Sequence, residues 1–206
     1  MGTDGRRYRI GIMGGTFDPI HVGHLILGES AFEQFGLDEV LFMPSGNPPH
    51  KINREGASNE ERVDMVSLAI EDNPHFTLSL EEMHELGYIY TSKTLERLTE
   101  RNPDTDYYFI MGADSLFSFD QWHEPQRICE LCILVVAVRD HASIDELEQK
   151  MNEVRQRYHA EIKLLHTPNI DISSHQIRQW IREGKGCRYY LHDSTRDYIA
   201  ARKLYH

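Results

Sequence analysis

The sequence predicts a doubly wound α/β domain, in which helices cover both faces of a parallel sheet, followed by a small helical C-terminal segment. Apolar runs of strand length alternate with helical patterns along all 206 residues, and this alternation favours a parallel sheet with right-handed crossovers. One run, Leu131 to Val138, is apolar throughout, which is typical of a strand buried on both faces. No repeat or linker divides the chain, so we expect one domain over residues 1–206.

Turn signals place the first elements. Tyr8 to Met13 predicts the first strand, and the helical pattern Val22 to Phe35 ends at Gly36, a residue type common at helix ends. Glu39 to Met43 predicts the second strand, and Pro44 stops it.

A long loop opens the middle of the chain. Ser45 to Ala57 is rich in Gly, Pro and Asn, which are turn residues. A Ser-x-x-Glu capping box then opens a helix from Ser58 to Glu71. Phe76 to Leu80 predicts a strand, Thr91 to Glu100 a helix and Tyr107 to Met111 another strand.

The last part of the chain continues the alternation. After the strand at Leu131 to Val138, a second capping box opens a helix from Ser143 to Tyr158. Glu161 to Leu165 predicts the last strand, and helices at Ser174 to Glu183 and Ser194 to Leu204 form the C-terminal segment.

The composition excludes several classes of protein. There are 22 Lys and Arg against 33 Asp and Glu, a formal net charge of −11, whereas nucleic-acid binding depends largely on neutralising phosphates. Met1 to Arg9 lacks a signal-peptide stretch, and no run approaches the roughly 18 apolar residues of a membrane span. We therefore expect a cytoplasmic protein that binds neither nucleic acid nor membranes. Small anionic ligands, which need only a local positive site, stay compatible with this charge.

The cysteines indicate a reducing compartment. Their number is three, and an odd count makes a disulfide framework unexpected. Cys129 and Cys132 form a C-x-x-C pair, but a single pair is a weak metal or redox signal. Because apolar residues are interleaved with them, we interpret both as core residues. The spacing of Cys187 and the histidines does not indicate a metal site.

Ligands of such folds bind beyond the carboxyl ends of the strands, near the point where the strand order reverses. The predicted loops at these ends are Gly14 to His21, Ser45 to Ala57, Gly112 to Trp122 and Arg139 to Ala142.

The first of these loops has the chemistry of a phosphate site. Gly14 and Gly15 allow close approach of the backbone to a ligand, and the helix that follows presents its positive dipole end. His21 and His24, three residues apart, share one face of its first turn and can donate hydrogen bonds to phosphate oxygens. The segment matches neither the G-x-G-x-x-G dinucleotide motif nor the P-loop.

The segment GGTFDPIHVGH resembles the (T/H)-x-G-H signature of the nucleotidyltransferase superfamily, and specifically that of the bacterial nicotinate mononucleotide adenylyltransferases. The resemblance extends over nearly the whole chain. It implies a Rossmann-like nucleotidyltransferase fold and adenylyl transfer from ATP to nicotinate mononucleotide in NAD biosynthesis. It also implies Mg²⁺ held by nucleotide phosphates rather than by protein ligands.

Further segments along the chain also carry this resemblance. Pro48-Pro49-His50-Lys51 matches a family loop whose contacts reach the phosphates of both substrates. Gly112-Ala113-Asp114 followed by Trp122 matches a G-x-D…W pattern that holds the pyridine ring, and Tyr90 to Leu95 resembles a stretch whose backbone holds the nicotinate carboxylate. Arg139 matches a basic residue near the mononucleotide.

Ile172-Ser173-Ser174-His175-Gln176-Ile177-Arg178 resembles the family's I-S-S-(T/S)-x-I-R. Serines at a helix N-terminus supply hydroxyl and N–H groups, and Arg178 adds a rigid fork of donors. The sequence departs from the family pattern at Lys93, Asp140, His175 and His192.

The resemblance implies these site residues. The catalytic residues are His21, His24, Lys51 and Arg178. ATP contacts come from Gly14, Gly15, Thr16, Phe17, His24, Asp114, Ile172, Ser173, Ser174 and Arg178. Nicotinate mononucleotide contacts come from Asp18, His50, Lys51, Thr91, Trp122 and Arg139. The segment from about residue 170 would close the nucleotide site.

Alternative functions stay open at this point. The acceptor could be another phosphate compound, such as nicotinamide mononucleotide or phosphopantetheine, or the protein could be a nucleotide sensor without catalytic activity. The sequence leaves the oligomeric state open, a homo-oligomer included.

Overall fold

A computed structural model of the chain describes residues 5–46, 56–83, 89–137, 144–168 and 170–206. Within these ranges six strands form one sheet: β1 (Tyr8–Gly15), β2 (Glu39–Pro44), β3 (Phe76–Leu78), β4 (Thr105–Gly112), β5 (Ile133–Ala137) and β6 (Ile162–Leu165). The helices are α1 (Val22–Phe35), α2 (Asn59–Ile70), α3 (Thr91–Arg101), α4 (Ala113–Phe117), α5 (Pro125–Leu131), α6 (Ile144–Tyr158), α7 (Ser174–Arg182) and α8 (Asp193–Arg202). None of these helices is both long and apolar enough to cross a membrane.

The sheet is wound in two directions from its centre. All neighbouring strands are parallel, and their order is β3-β2-β1-β4-β5-β6. The chain therefore moves outward from β1 to β3 and returns to the other side of β1 for β4. This reversal opens a crevice at the carboxyl ends of β1 and β4, and it confirms the predicted doubly wound parallel fold.

The core lies on both faces of the sheet. Along β5, Val135 and Ala137 pack in one apolar cluster, whereas Leu134 and Val136 pack in the other. Successive side chains of a strand point to opposite faces, so β5 is buried on both. This confirms the prediction that the continuous apolar run contains a strand buried on both faces.

Some of the predicted strand boundaries were wrong. Leu131 belongs to α5 and β5 begins at Ile133, because Pro125 starts a helical turn that Cys132 closes through its N–H bond to the Ile128 carbonyl. β3 ends at Leu78 rather than at Leu80.

The predicted loop from Gly112 to Trp122 contains α4 and a 3₁₀ turn at Phe119–Gln121. These pieces are too short to show a helical period, although Leu116 and Phe119 are fully buried three residues apart.

The C-terminal helix α8 packs against α2. The Thr195 hydroxyl donates to the Met65 carbonyl at 3.3 Å, and the Ser194 hydroxyl donates to the Leu68 carbonyl at 2.8 Å. Ile177 of α7 and Ile199 of α8 belong to the same core cluster as Met13 of β1. The C-terminal helices are thus built into the α1–α2 face of the sheet.

All three cysteine thiols are buried and none forms a disulfide. Burial raises the pKa of Cys129 to about 12 and raises the pKa values of Cys132 and Cys187, so little thiolate forms near neutral pH. We expect the folded protein to react slowly with a thiol reagent such as DTNB at pH 8, and three thiols to react after unfolding in guanidinium chloride. Rapid labelling of the folded protein would show that a thiol is accessible and reactive.

Candidate active site

The turn from β1 to α1 exposes backbone at the centre of the carboxyl edge. Gly14 is exposed, and a Cβ on Gly15 would lie 3.1 Å from the ring of Phe17. Phe17 adopts a left-handed backbone conformation with φ +50°, and its side chain is only 2% exposed. The aromatic ring therefore fills the core below the turn and leaves the glycine backbone open above it.

His21 and His24 form a stacked pair at the start of α1. Their ring centroids are 3.7 Å apart, and the His21 N–H donates to Nδ1 of His24 at 3.2 Å. Because Nδ1 accepts, the neutral His24 ring carries its proton on Nε2, which can donate to a ligand. The edge-on ring of Phe17, 5.0 Å away, also orients His24. His21 is only 3% exposed, so a ligand meets His24 first.

The start of α7 lies directly against this turn. The Ser174 hydroxyl donates to the Pro19 carbonyl at 2.8 Å, and Nη1 of Arg178 donates to the Asp18 carbonyl at 2.5 Å. Ser173 caps the helix by accepting the Gln176 N–H at 3.2 Å. Side chain–backbone hydrogen bonds thus join the two motifs that sequence reasoning placed at one site.

Ile172 completes the contact with the start of α1. A Cβ on Gly23 would lie 3.5 Å from Cγ1 of Ile172 and 3.0 Å from Nδ1 of His21. Ile172 is 4% exposed, so its side chain packs inside this junction. The Val22 N–H at the same helix start donates to the Tyr190 carbonyl at 3.0 Å.

Asp18 is buried within the turn, and its carboxylate accepts hydrogen bonds from two distant parts of the chain. Its Oδ1 accepts the Ala57 N–H at 3.1 Å and the Tyr205 hydroxyl at 2.6 Å. A Cβ on Gly56 would lie 2.2 Å from Oδ2 of Asp18, so a larger residue there would displace the carboxylate. The carboxylate, which the sequence assigned to mononucleotide binding, is engaged by protein groups.

A second group of predicted residues lies beyond β4. Trp122 is partly buried, and its ring centroid is 5.9 Å from that of Phe109 and 5.5 Å from that of Phe119. The ring of Phe109 also lies 3.7 Å from where a Cβ on Gly14 would be. Trp122 and the glycine turn therefore flank the same aromatic ring. Asp114, in the first turn of α4, is exposed at this edge.

The start of α3 is fixed to the Trp122 segment. The Tyr90 ring stacks on His123 with centroids 4.0 Å apart, and the buried Ser92 hydroxyl donates to Oε2 of Glu124 at 3.0 Å. Thr91 is the first residue of α3, so these contacts place it beside the Trp122 segment.

Similar proteins place the chain in a family. A family model described as cytidylyltransferase-like matches residues 12–180. A Lachnoclostridium phytofermentans protein named "Probable nicotinate-nucleotide adenylyltransferase" is 44% identical over 197 residues, which cover 96% of this chain and 98% of that protein. A Synechococcus protein with the same name is 40% identical over 202 residues, covering 98% and 97%. This chain belongs to the nicotinate-nucleotide adenylyltransferase family.

A solved structure has the same fold as this family member. The Plasmodium falciparum nicotinic acid mononucleotide adenylyltransferase complexed with NaAD superposes with a TM-score of 0.78. The match covers 96% of this chain and 97% of the other at 21% identity.

Three predicted site residues of this nicotinate-nucleotide adenylyltransferase family member, His50, Lys51 and Arg139, lie outside the described residues, and so does Asp140, a departure from the family pattern. Their predicted contacts stay predictions. Among the described residues, no group of three or more His, Cys, Asp or Glu side chains could hold a metal ion.

Within the described residues, the departures from the family pattern at Lys93, His175 and His192 have local partners or lie at the surface. Nζ of Lys93 is 3.0 Å from Glu96 and 3.3 Å from Glu124, and its hydrogen bond to Glu96 contributes most to raising the pKa of Lys93. His192 lies 2.7 Å from the Ser194 hydroxyl at the start of α8, and His175 is exposed.

Sequence reasoning missed Arg62, a fully buried residue of α2. Its Nη1 donates to the Thr16 carbonyl at 2.6 Å, and its Nη2 donates to the Ser45 carbonyl at 2.8 Å. A signal was present, because Arg62 has helical spacing to the buried Met65, Val66 and Ala69. This guanidinium ties the loops after β1 and β2 to each other.

We expect Arg62→Lys to lower the free energy of unfolding by about 2–4 kcal/mol, since an ammonium cannot span the carbonyls that the fork joins. Urea unfolding measures the change. Arg157→Lys is the matched control, because Arg157 is 68% exposed and its substitution should cost under about 0.5 kcal/mol. Equal effects of the two substitutions would contradict a special role for Arg62.

We expect His24→Ala to lower kcat on the order of 10²-fold, as removal of a transition-state hydrogen-bond donor does. The free energy of unfolding should fall by no more than about 1.5 kcal/mol, the net value of one hydrogen bond. His166→Ala, at an exposed histidine after β6, controls for loss of an imidazole. Steady-state kinetics within a few-fold of the unsubstituted enzyme would remove His24 from the catalytic residues.

Proposed function

We propose that the chain transfers the adenylyl group of ATP to nicotinate mononucleotide, forming nicotinate adenine dinucleotide and pyrophosphate in NAD biosynthesis. One observation carries the proposal most strongly. The starts of α1 and α7 meet at the β1–α1 turn, where Ser174 is bonded to the Pro19 carbonyl and Arg178 to the Asp18 carbonyl. Two helix N-termini, an imidazole and a guanidinium at a switch point suit a polyphosphate.

The reaction needs no protein nucleophile. A phosphate oxygen of the mononucleotide attacks the α-phosphorus of ATP in line, and the bond from that phosphorus to the bridging oxygen breaks as pyrophosphate leaves. Nε2 of His24 donates to a phosphate oxygen, and Arg178 balances charge that develops on the leaving group. The role of the protein is to position two polyanions and to stabilise the transition state.

Magnesium enters this proposal as part of the substrate MgATP. Mg²⁺ prefers phosphate and water oxygens to a cage of protein ligands, so the nucleotide phosphates would hold it. When bound, it neutralises part of the triphosphate charge.

The nicotinate ring of the acceptor, nicotinate mononucleotide, would bind at the start of α3. The N–H groups of the first turn of a helix favour a carboxylate, and α3 is an 11-residue helix whose start lies beside the Trp122 segment. Thr91 and Trp122 would receive the nicotinate ring, while His50, Lys51 and Arg139 would contact phosphates. The segment from about residue 170 would close the nucleotide side, and the reaction would take place in the cytoplasm.

We expect kcat/KM with nicotinate mononucleotide to exceed that with nicotinamide mononucleotide by roughly 10- to 150-fold, the effect of one hydrogen bond to a charged group. Pyrophosphate release with each acceptor, and with phosphopantetheine, measures this ratio. Arg178→Ala supplies the low-activity control. Preference for another acceptor would change the assigned substrate, and no turnover of any acceptor would favour a nucleotide sensor.

A further inference from the structure

Tyr205 links the C-terminal segment to the β1–α1 turn. After α8 ends, Lys203 adopts a left-handed conformation with φ +53°, and the Leu204 N–H donates to the Ile199 carbonyl at 3.0 Å. Tyr205 is also left-handed, with φ +65°. These turns reverse the chain, so that Leu204 and Tyr205 pack on the core cluster beside α1 and α2. The Tyr205 hydroxyl then donates to Oδ1 of Asp18 at 2.6 Å.

The Asp18 carboxylate lies just outside hydrogen-bonding distance of Arg178. Oδ2 of Asp18 is 3.9 Å from Nη1 of Arg178, and the same Nη1 donates to the Asp18 carbonyl. The Asp18 and Arg178 side chains are 8% and 18% exposed, so solvent screens their attraction weakly. A small rotation of the carboxylate would give a direct charge-assisted pair. The Tyr205 hydroxyl and the Ala57 N–H, both on Oδ1, hold the carboxylate in its present orientation.

We propose that Tyr205 is a positioning residue that keeps the Asp18 carboxylate, which lies at ion-pair distance from Arg178, from forming a direct hydrogen bond to it, and so leaves the guanidinium to bind the triphosphate of ATP. The inference rests on the proposed function, because it assumes that Arg178 binds ATP. Burial, followed by the neighbouring Asp18 charge, raises the pKa of Tyr205. The hydroxyl therefore keeps the proton that it donates.

The chain provides a matched control for this tyrosine. The Tyr198 hydroxyl also donates to a carboxylate, Oδ2 of Asp64, at 2.7 Å. Both tyrosines lie in the C-terminal segment and pack on the same core cluster. Only the Tyr205 hydroxyl binds a carboxylate of the β1–α1 turn. Tyr205→Phe and Tyr198→Phe thus remove the same atom from equivalent bonds and leave the ring packing in place.

Steady-state kinetics and calorimetric titration with ATP, on the full chain, test the proposal. We expect Tyr205→Phe to raise both KM and Kd for ATP about tenfold, the effect of weakening one charge-assisted interaction. Its kcat and its KM for nicotinate mononucleotide should stay within about threefold. Tyr198→Phe should bind and use ATP as the unsubstituted enzyme does. Adding Asp18→Asn to Tyr205→Phe should restore ATP affinity, because a neutral amide does not compete for Arg178.

The outcomes separate the two proposals. If the unsubstituted chain neither binds ATP nor turns over, the proposed function is wrong. If it does both and Tyr205→Phe matches Tyr198→Phe in ATP affinity, the role of Tyr205 is wrong and the proposed function stands. If Tyr205→Phe lowers kcat but leaves ATP affinity unchanged, Asp18 does not compete with ATP for Arg178 and the proposal is wrong. The proposal is also wrong if adding Asp18→Asn does not restore the ATP affinity of Tyr205→Phe. Thermal unfolding of each variant confirms that the compared proteins are folded.

Discussion

The buried guanidinium of Arg62 is the constraint on which the carboxyl edge of the sheet depends. It reaches from α2 to backbone carbonyls after β1 and after β2, so the two loops cannot move independently. A buried charge is tolerated only when its donors are satisfied, and loop carbonyls, which no ladder would otherwise pair, are suitable acceptors. The Asp18 carboxylate adds a second bond by accepting the Ala57 N–H just before α2. A buried cation and a buried anion thus both hold the loops around the β1–α1 turn.

The net charge of −11 is compatible with an anionic ligand, because the electrostatic potential at a binding site depends mainly on the charges close to it. Arg178 and the His21–His24 pair gather at one crevice. Acidic side chains such as Asp145, Glu148 and Glu153 line one face of α6 instead. Water and salt screen exposed charges beyond about 10 Å, so the acidic surface opposes binding weakly. The overall charge therefore limits the size of a polyanion that can bind rather than the sign of its charge.

Sequence patterns predicted strands and helix starts, because these features depend on residues that are close together in the sequence. The periodicity predicted all six strands of the sheet, and glycines, histidines and serines predicted the two helix starts that meet at the crevice. Short helices such as α5 escaped prediction because seven residues do not establish a period. Arg62 and Tyr205 escaped for a different reason. Their importance lies in bonds to distant partners. The helical spacing of Arg62 to buried residues indicated that it faces the core, but no local pattern indicated which groups Arg62 or Tyr205 would bind.

The bonds from residues 174–205 to the β1–α1 turn span 155 to 187 residues of chain. During synthesis, the turn and the central strands therefore leave the ribosome long before their partners are made. A nascent chain can assemble the sheet while the crevice still lacks α7 and the groups that fix Asp18. Closing such long loops is slow compared with forming local structure. Completion of the site is thus a late folding event, and the chain passes through a stage with a sheet but without a nucleotide site.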